Sequence, residues 1–493
     1  MAEKSKKFYI TTAIPYVNAR PHLGHALEFV QADVLARYHR TRGERVFLLS
    51  GSDDNALKNV QAAEKAGSGI QEFVDKNAAL FSQLFEVLGV RVDAFQRGSD
   101  EKLHYPSSQK LWKLCEEAGD IYKKSYTGLY CVGCEAFYTK DELNENGECF
   151  EHLGRKLDLV SEENYFFRLS KYQKQLIDLI KSGKLCILPG TRKNEVLSFL
   201  REPLQDISIS RTNERAKNWG VPVPGDDSQR IYVWFDALNM YQSGIGFGWD
   251  EDTYKKWWPA DIHLIGKGIL RFHAVYWPAF LLSARLELPK SIFVHGYITV
   301  DGQKMSKTIG NVLDPFEIIN KYGTDPARYY LLREIPSGED GDFSYQKLED
   351  RYNGDLANGL GNLVARVAAL GEKISPIRFE FGKDVEKEID ATCDDVFGQY
   401  EKHMREFRLN EALADVWHLI SSGDKYINEK KPWSIESEAE LKKVMVNAGY
   451  LVGAITNLIE PFLPGTAEKI REQIRFEDSV MKIKKGGNLF PRI

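Results

Sequence analysis

The stretch "NARPHLGHALEF" (Asn18–Phe29) sets two histidines, His22 and His25, three residues apart around Gly24. Its flanks decide the fold. Upstream, "KFYITT" is β-branched and aromatic and reads as a strand ending at Thr12, followed by the Pro-containing loop "AIPYVNARP". Downstream, Leu27, Val30, Val34 and Tyr38 recur at helical spacing, and the helix ends near Gly43. "RVFLLSG" (Arg45–Gly51) is then a buried-strand pattern running into the polar loop "SDDNA". Strand, loop, helix, strand is a βαβ unit, and it implies a parallel sheet.

Three roles compete for His22 and His25: a helix terminus with satisfied ring nitrogens, a metal pair, or a phosphate site. No carboxylate accompanies them in the metalloprotease arrangement, which weakens the metal. The pair follows a strand and opens a helix, where anions bind at the carboxyl ends of parallel strands. Gly24 lets a nucleotide approach the backbone. A second element favours phosphate: "DGQKMSKTIGNV" (Asp301–Val312) sets Lys304 and Lys307 on either side of Met305-Ser306, in a glycine-opened loop directly after the strand-like "HGYITV". Two ammonium groups on such a loop suit a triphosphate that becomes pyrophosphate.

The 493 residues are too many for one core, and two to four domains are expected. Apolar residues make up 43% and charged residues 28%, and the net charge of −5 provides no global basic field, so nucleic acid would have to bind through local patches. The N-terminus lacks the apolar region of a signal peptide, and no run approaches the ~20 residues of a membrane span. Regular alternation is lost from about Gly119 to Pro224, which reads as an insertion. Strand-like runs resume at "RIYVWFDAL" (Arg230–Leu238), "DIHLIG" (Asp261–Gly266) and "SIFVHGYITV" (Ser291–Val300). After about Arg351 the strands stop, and Leu356, Leu360, Leu363, Val367 and Leu370 open a series of amphipathic helices. The expected class is α/β: a Rossmann-like parallel sheet with a zinc-bearing insertion and a C-terminal α-helical bundle. The expected divisions are 1–118, 119–225, 226–350 and 351–493.

Within the insertion, Cys131-x-x-Cys134 is followed by Cys149-x-x-His152. Two thiolates on a tight turn, a spacer, then a thiolate and an imidazole predict a closed, tetrahedral, structural zinc site. A redox Cys-x-x-Cys would require neither Cys149 nor His152. Cysteines clustered this way, with Cys115, Cys186 and Cys393 scattered, suit a reducing cytoplasm.

His22-Leu23-Gly24-His25 and Lys304-Met305-Ser306-Lys307-Thr308 resemble the HIGH and KMSKS signatures of class I aminoacyl-tRNA synthetases. Leu and Thr are mild departures from the two patterns. Over nearly the whole chain the resemblance narrows to the methionyl-tRNA synthetases. It implies activation of L-methionine by Mg2+-ATP and transfer to tRNA(Met), with His22, His25, Lys304 and Lys307 as the catalytic set. Gly24, Gly266 and Ser306 would join them around ATP. The methionine pocket carries over onto Ile14, Tyr16, Asp53, Val233, Trp234, Ala237, Leu238, Tyr241, Ile269, Phe272 and His273. Asp53 would pair with the substrate ammonium and Ile14 would offer it a carbonyl. Family members often have Glu-His-Gly after that aspartate, where this chain has Asp54-Asn55-Ala56. Asn362, Arg366 and Trp433 match the anticodon-reading positions, where a tryptophan stacks on a base. The resemblance also implies a single zinc knuckle, and a monomer, since some members continue into a dimerising domain past the point matching "NLFPRI". Two other readings stay open: a related class I synthetase for another amino acid, and a catalytically silent tRNA-binding protein.

Overall fold

The computed structural model describes residues 6–134, 136–138, 140–150, 154–300, 302–305, 310–380 and 382–493. It divides into two compact units. One takes the chain up to Pro21, His39–Glu86 and Arg91–His295; the other takes His22–Tyr38, Val87–Val90 and Gly296–Ile493.

The first unit is built on a six-stranded sheet. Its strands are β1 (Lys7–Thr12), β2 (Arg45–Ser52), β3 (Ala94–Arg97), β4 (Cys186–Leu188), β5 (Ile262–Gly266) and β6 (Ser291–His295), in the order β3-β2-β1-β5-β6-β4. Every pairing is parallel. Burial on both faces explains why β1 and β5 show no apolar–polar alternation. The chain leaves β1 towards one edge and returns at β5 towards the other, so the ends of β1 and β5 flank a topological switch point. β4, drawn from the stretch read as an insertion, completes the far edge. The same stretch also holds a four-stranded antiparallel sheet around the long strand Ile121–Cys131, whose last residue is the first cysteine of the cluster.

The second unit contains most of the helix α1 (Leu23–Thr41), a small sheet of Ile298–Val300, Gln303–Lys304 and Gly341–Phe343, and the helical third of the chain. Lys387–Arg405, Leu409–Lys430 and Glu438–Ile459 are its longest helices. Arg328 is fully buried within it. Its guanidinium donates to the carbonyls of Leu88, Pro461 and Phe462 and pairs with the buried Asp33 of α1 at 2.8 Å. No helix of the described residues is long and apolar enough to cross a membrane.

Three sequence expectations need correction. "RIYVWFDAL" is a strand only to Ile231; Val233–Ser243 is a helix, α2. Every residue of α2 is buried, so it has no solvent-exposed face to mark it as a surface helix. "SIFVHGYITV" is two strands in two sheets, broken at Gly296. A Cβ there would stand 2.1 Å from the Glu339 backbone, so only glycine admits that crossing. The helical third also has strands: Ile377–Arg378, Ile474–Glu477 and Val480–Ile483 form a small antiparallel sheet. They are too short to register against the helical pattern.

Replacing Arg328 by Leu takes the guanidinium away from three carbonyls and leaves the buried Asp33 with Arg37 Nε at 2.7 Å as its remaining cationic partner. The expected loss is about 3–5 kcal/mol, read as a lower thermal midpoint for the second unit. An unchanged midpoint would remove Arg328 as the anchor of α1.

Candidate functional site

Most of the residues expected around an amino-acid side chain lie in the first unit, on elements that leave the switch point. Ile14 and Tyr16 follow β1; Gly266 ends β5, and Ile269, Phe272 and His273 follow it. Trp234, Ala237, Leu238 and Tyr241 recur along one face of α2, with Val233 at its start. The indole of Trp234 stacks on Phe272 with ring centroids 3.7 Å apart and planes 4° from parallel, and Tyr16 meets it edge-on at 6.1 Å. The result is an aromatic and aliphatic lining suited to an unbranched, polarizable side chain.

The Tyr241–His273 pair is a polar handle in this wall. His273 Nδ1 lies 2.9 Å from the Ile269 carbonyl, which can only accept, so Nδ1 carries the proton. Nε2 is then the acceptor for the Tyr241 hydroxyl at 2.7 Å. Behind Tyr241, His263 stacks on its ring at 4.3 Å and accepts at Nε2 from the Trp277 indole, leaving Nδ1–H to donate to Thr11 Oγ1. Burial depresses both imidazoles, His273 to about 4 and His263 well below its ordinary value. Both are therefore neutral, and the Tyr241 hydroxyl is held in one orientation.

Asp53 is buried at the end of β2, bridged to Tyr16, and its amide donates to the Pro15 carbonyl at 2.9 Å. Its carboxylate accepts from the Asn55 amide at 3.2 Å. The two residues after it, where this chain departs from the family pattern, are both anchored. Asp54 takes Arg97 Nε at 2.8 Å and the Ser99 hydroxyl at 2.7 Å. Asn55 Nδ2 reaches the Gly98 carbonyl and Asp236, each at 2.7 Å. Asp236 in turn receives His104 and Ser108 on its other oxygen. Sequence reasoning missed Asn55, Asp236 and His104; the altered tripeptide after Asp53 was the one signal.

His22 and His25 open α1 in the second unit. Their rings stack at 3.9 Å. The Gly24 amide donates to His22 Nδ1 and the His22 amide to His25 Nδ1, each at 3.1 Å. With both Nδ1 atoms accepting, each neutral ring carries its proton on Nε2 and donates from there. A Cβ on residue 24 would press to 3.0 Å on the His22 ring, so glycine keeps that ring in place. Also in the second unit, Ile298–Val300 and Gln303–Lys304 form a hairpin whose Gly302 has φ +73°. The Lys304 side chain, Ser306 and Lys307 lie outside the described residues.

Cys131, Cys134 and Cys149 bring their sulfurs within 4.8 Å of one another. The Cys131–Cys149 and Cys134–Cys149 separations are 3.3 and 3.7 Å, close to the ~3.8 Å between thiolates on a tetrahedral ion with 2.3 Å bonds. The cluster can hold a metal. Contact with Cys131 and burial push the Cys134 thiol well up, and a cation is the partner that lets such a trio ionise together. His152 lies outside the described residues. Two carbonyls of the knuckle reach the aromatic lining: Cys134 accepts from Trp234 Nε1 at 3.2 Å, and Gly133 from Lys58 Nζ at 3.2 Å. That same ammonium sits 3.1 Å from the Tyr16 ring centroid.

In the helical third, Asn362 is exposed and Arg366 lies one turn further along the same helix. The Arg366 guanidinium stands 5.5 Å from the ring of Trp433, which is 56% exposed, and donates to Asn428 at 2.7 Å. The C-terminal tail packs on this unit: Phe490 is buried and Arg492 donates to Asn358 at 2.6 Å.

The family model described as tRNA synthetases class I (M) matches residues 8–368, and that of the anticodon binding domain of methionyl tRNA ligase matches 379–486. A methionine–tRNA ligase of Thermotoga maritima is 42% identical, over 97% of this chain and 76% of its own length. One from Brucella suis is 40% identical over 94% and 91%. The solved structure of Mycobacterium tuberculosis methionyl-tRNA synthetase in complex with methionyl-adenylate superposes with a TM-score of 0.92 at 37% identity, covering 99% of this chain and all of that one.

The buried histidines set a pH dependence. The unfolded chain protonates His263 and His273 near their ordinary value of 6.5, while the folded chain holds them neutral. Their contribution is therefore present above about 6.5 and is lost as pH falls, for His273 down to about 4. The expected slope is up to about 1.4 kcal/mol per pH unit for each. Thermal midpoints measured against pH should fall less steeply in His273→Gln than in the parent. Parallel curves from pH 6.5 to 4.5 would mean that His273 protonates in the folded state.

Proposed function

The chain belongs to the class I methionyl-tRNA synthetase family, and we propose from this that it is a methionine–tRNA ligase. The observation that carries the amino-acid choice is the lining of Trp234, Phe272 and Tyr16 closed by the Tyr241–His273 pair. An unbranched thioether fits against stacked rings, and one oriented hydroxyl can meet the sulfur. Asp53 supplies the charge for the substrate ammonium, and the Ile14 carbonyl a further acceptor. Ala237, Leu238, Val233 and Ile269 complete the apolar wall.

Activation needs no protein nucleophile. A carboxylate oxygen of methionine attacks the α-phosphorus of ATP, the bond to the bridging oxygen breaks, and pyrophosphate leaves. His22 and His25 donate through Nε2 to phosphate oxygens as charge builds, with Gly24 and Gly266 admitting the nucleotide. Lys304, Ser306 and Lys307 serve the departing pyrophosphate. Mg2+ enters with ATP as part of the substrate. In the second step a ribose hydroxyl of tRNA(Met) attacks the activated carbonyl and AMP departs. Arg366, Asn362 and Trp433 read the anticodon, the tryptophan by stacking. The ion for the cysteine cluster is zinc, with His152 as the fourth ligand; it fixes the knuckle and leaves the chemistry to the sheet. None of the six cysteines is paired in a disulfide, which supports a cytoplasmic setting. The divisions 1–118, 119–225, 226–350 and 351–493 are the working domains.

Amino-acid-dependent ATP–pyrophosphate exchange across the standard amino acids should give exchange with methionine. Exchange with another amino acid and none with methionine would overturn the reading. Stripping the metal should raise the methionine KM, because Trp234 and Lys58 both lean on knuckle carbonyls; an unaltered KM on metal-free, folded protein would refute that dependence. Trp433→Ala should cut charging by roughly tenfold or more with pyrophosphate exchange nearly intact. An equal fall in both would contradict separate sites.

A further inference from the structure

One cavity in the first unit has a lining that no role above explains. It encloses about 30 Å3, room for a water or two or for phosphate oxygens, and three of its walls are Arg211, Arg215 and Arg230. Arg211 and Arg230 are direct register partners on antiparallel strands, so their side chains leave the same face side by side. Arg215 joins them from the short helix Asn213–Ala216. Like charges placed opposite one another are unfavourable. The nearest carboxylate recorded for the trio is Glu162, 3.6 Å from Arg215 Nε.

Arg230 Nη1 donates to the Asp227 and Gln229 carbonyls at 3.3 Å each, but four other donor atoms of the trio are unanswered. Nε of Arg211 and Arg230, and Nε and Nη2 of Arg215, are buried without a hydrogen bond among the described residues. Arg211 is only 7% exposed, and its Nη1 is already committed to Ser208 Oγ and the Ser210 carbonyl. The guanidinium planes are fixed by aromatic faces: Arg211 lies 4.4 Å from the Tyr232 ring centroid and Arg215 4.3 Å from that of Tyr130. Buried, oriented and unpaired guanidinium N–H groups are costly unless an anion takes them, and planar forks match phosphate oxygens. One acceptor sits among these donors: Asn55 Oδ1, also buried and without a hydrogen bond. A ligand bearing both a phosphate and a hydroxyl satisfies both sets. The half-buried Trp219, its indole pinned to the Asp54 carbonyl at 2.8 Å, offers a ring for a base. The cavity also reaches Val233, one residue before Trp234, and Asn55, two residues beyond Asp53.

We propose that Arg211, Arg215 and Arg230 bind a phosphodiester of the single-stranded 3′ end of tRNA, with Asn55 Oδ1 accepting from a ribose hydroxyl, during the transfer step. This rests on the ligase reading. The same chemistry could come from a phosphate of ATP, so the test separates the two. Arg215→Gln and Arg230→Gln are compared with the parent in methionine-dependent pyrophosphate exchange and in single-turnover transfer from preformed adenylate. Transfer should fall roughly tenfold or more in each variant, with exchange and the ATP KM within about twofold of the parent. Arg230→Lys should recover part of the loss. In a second arm, the parent enzyme receives tRNA carrying neutral methylphosphonate linkages at its last positions. Transfer should slow to a similar degree, with little further loss in the arginine variants.

A raised ATP KM with parallel loss of exchange would overturn the proposal in favour of a nucleotide phosphate. Unchanged transfer, or indifference of the parent to the methylphosphonates, would overturn it outright, and the latter holds even if a variant fails to fold. Absence of methionine-dependent exchange in the parent would instead condemn the ligase reading.

Discussion

The Arg328 guanidinium fixes where the chain's first signature can be. A charge with no exposed surface is tolerated only when its hydrogen-bonding capacity is filled, and Arg328 fills it from three distant segments. Asp33 lies ten residues beyond the start of α1, so this ion pair ties the helix that displays His22 and His25 to the helix Thr324–Arg333 and to residues 461–462. The histidines therefore belong to the unit that contains the lysine loop and the helical third, although in sequence they follow the first strand of the sheet. A βαβ pattern gives the order of elements; it does not say which body a crossover helix joins. That is decided by a buried charge, and a buried charge leaves no period in the sequence.

Legibility follows from the same reasoning. β1, β2 and β5 were readable because buried parallel strands are short, β-branched and bounded by turns. α2 was not, because a helix buried all round has the same apolar composition as a strand. The residues of the aromatic lining were found through matched segments, and the structure brings those of α2 and of the chain after β5 together. What was missed is the layer behind them. Asn55, His104 and Asp236 are polar residues far apart in sequence, and nothing in their local spacing foretells that the Asp236 carboxylate will serve the other two together with Ser108. The cysteines showed themselves through spacing alone, because three thiols around one ion require a turn geometry that a short motif can encode.

The two knuckle carbonyls carry this further. Trp234 Nε1 and Lys58 Nζ are donors whose partners are backbone atoms of residues 134 and 133, between the cysteines. A backbone carbonyl is only as well placed as its turn, and this turn is held by the sulfurs on either side. The cysteine cluster and the aromatic lining are thus one mechanical object in the first unit, joined by an indole and an ammonium. Selectivity by shape alone is worth only a few kcal/mol per methylene, so a wall whose rings can slide would lose much of it. Trp234 is locked from behind, with Phe272 stacked in front and Tyr16 at its edge under the Lys58 ammonium, so the rings of this wall hold one another in place without a charge among them.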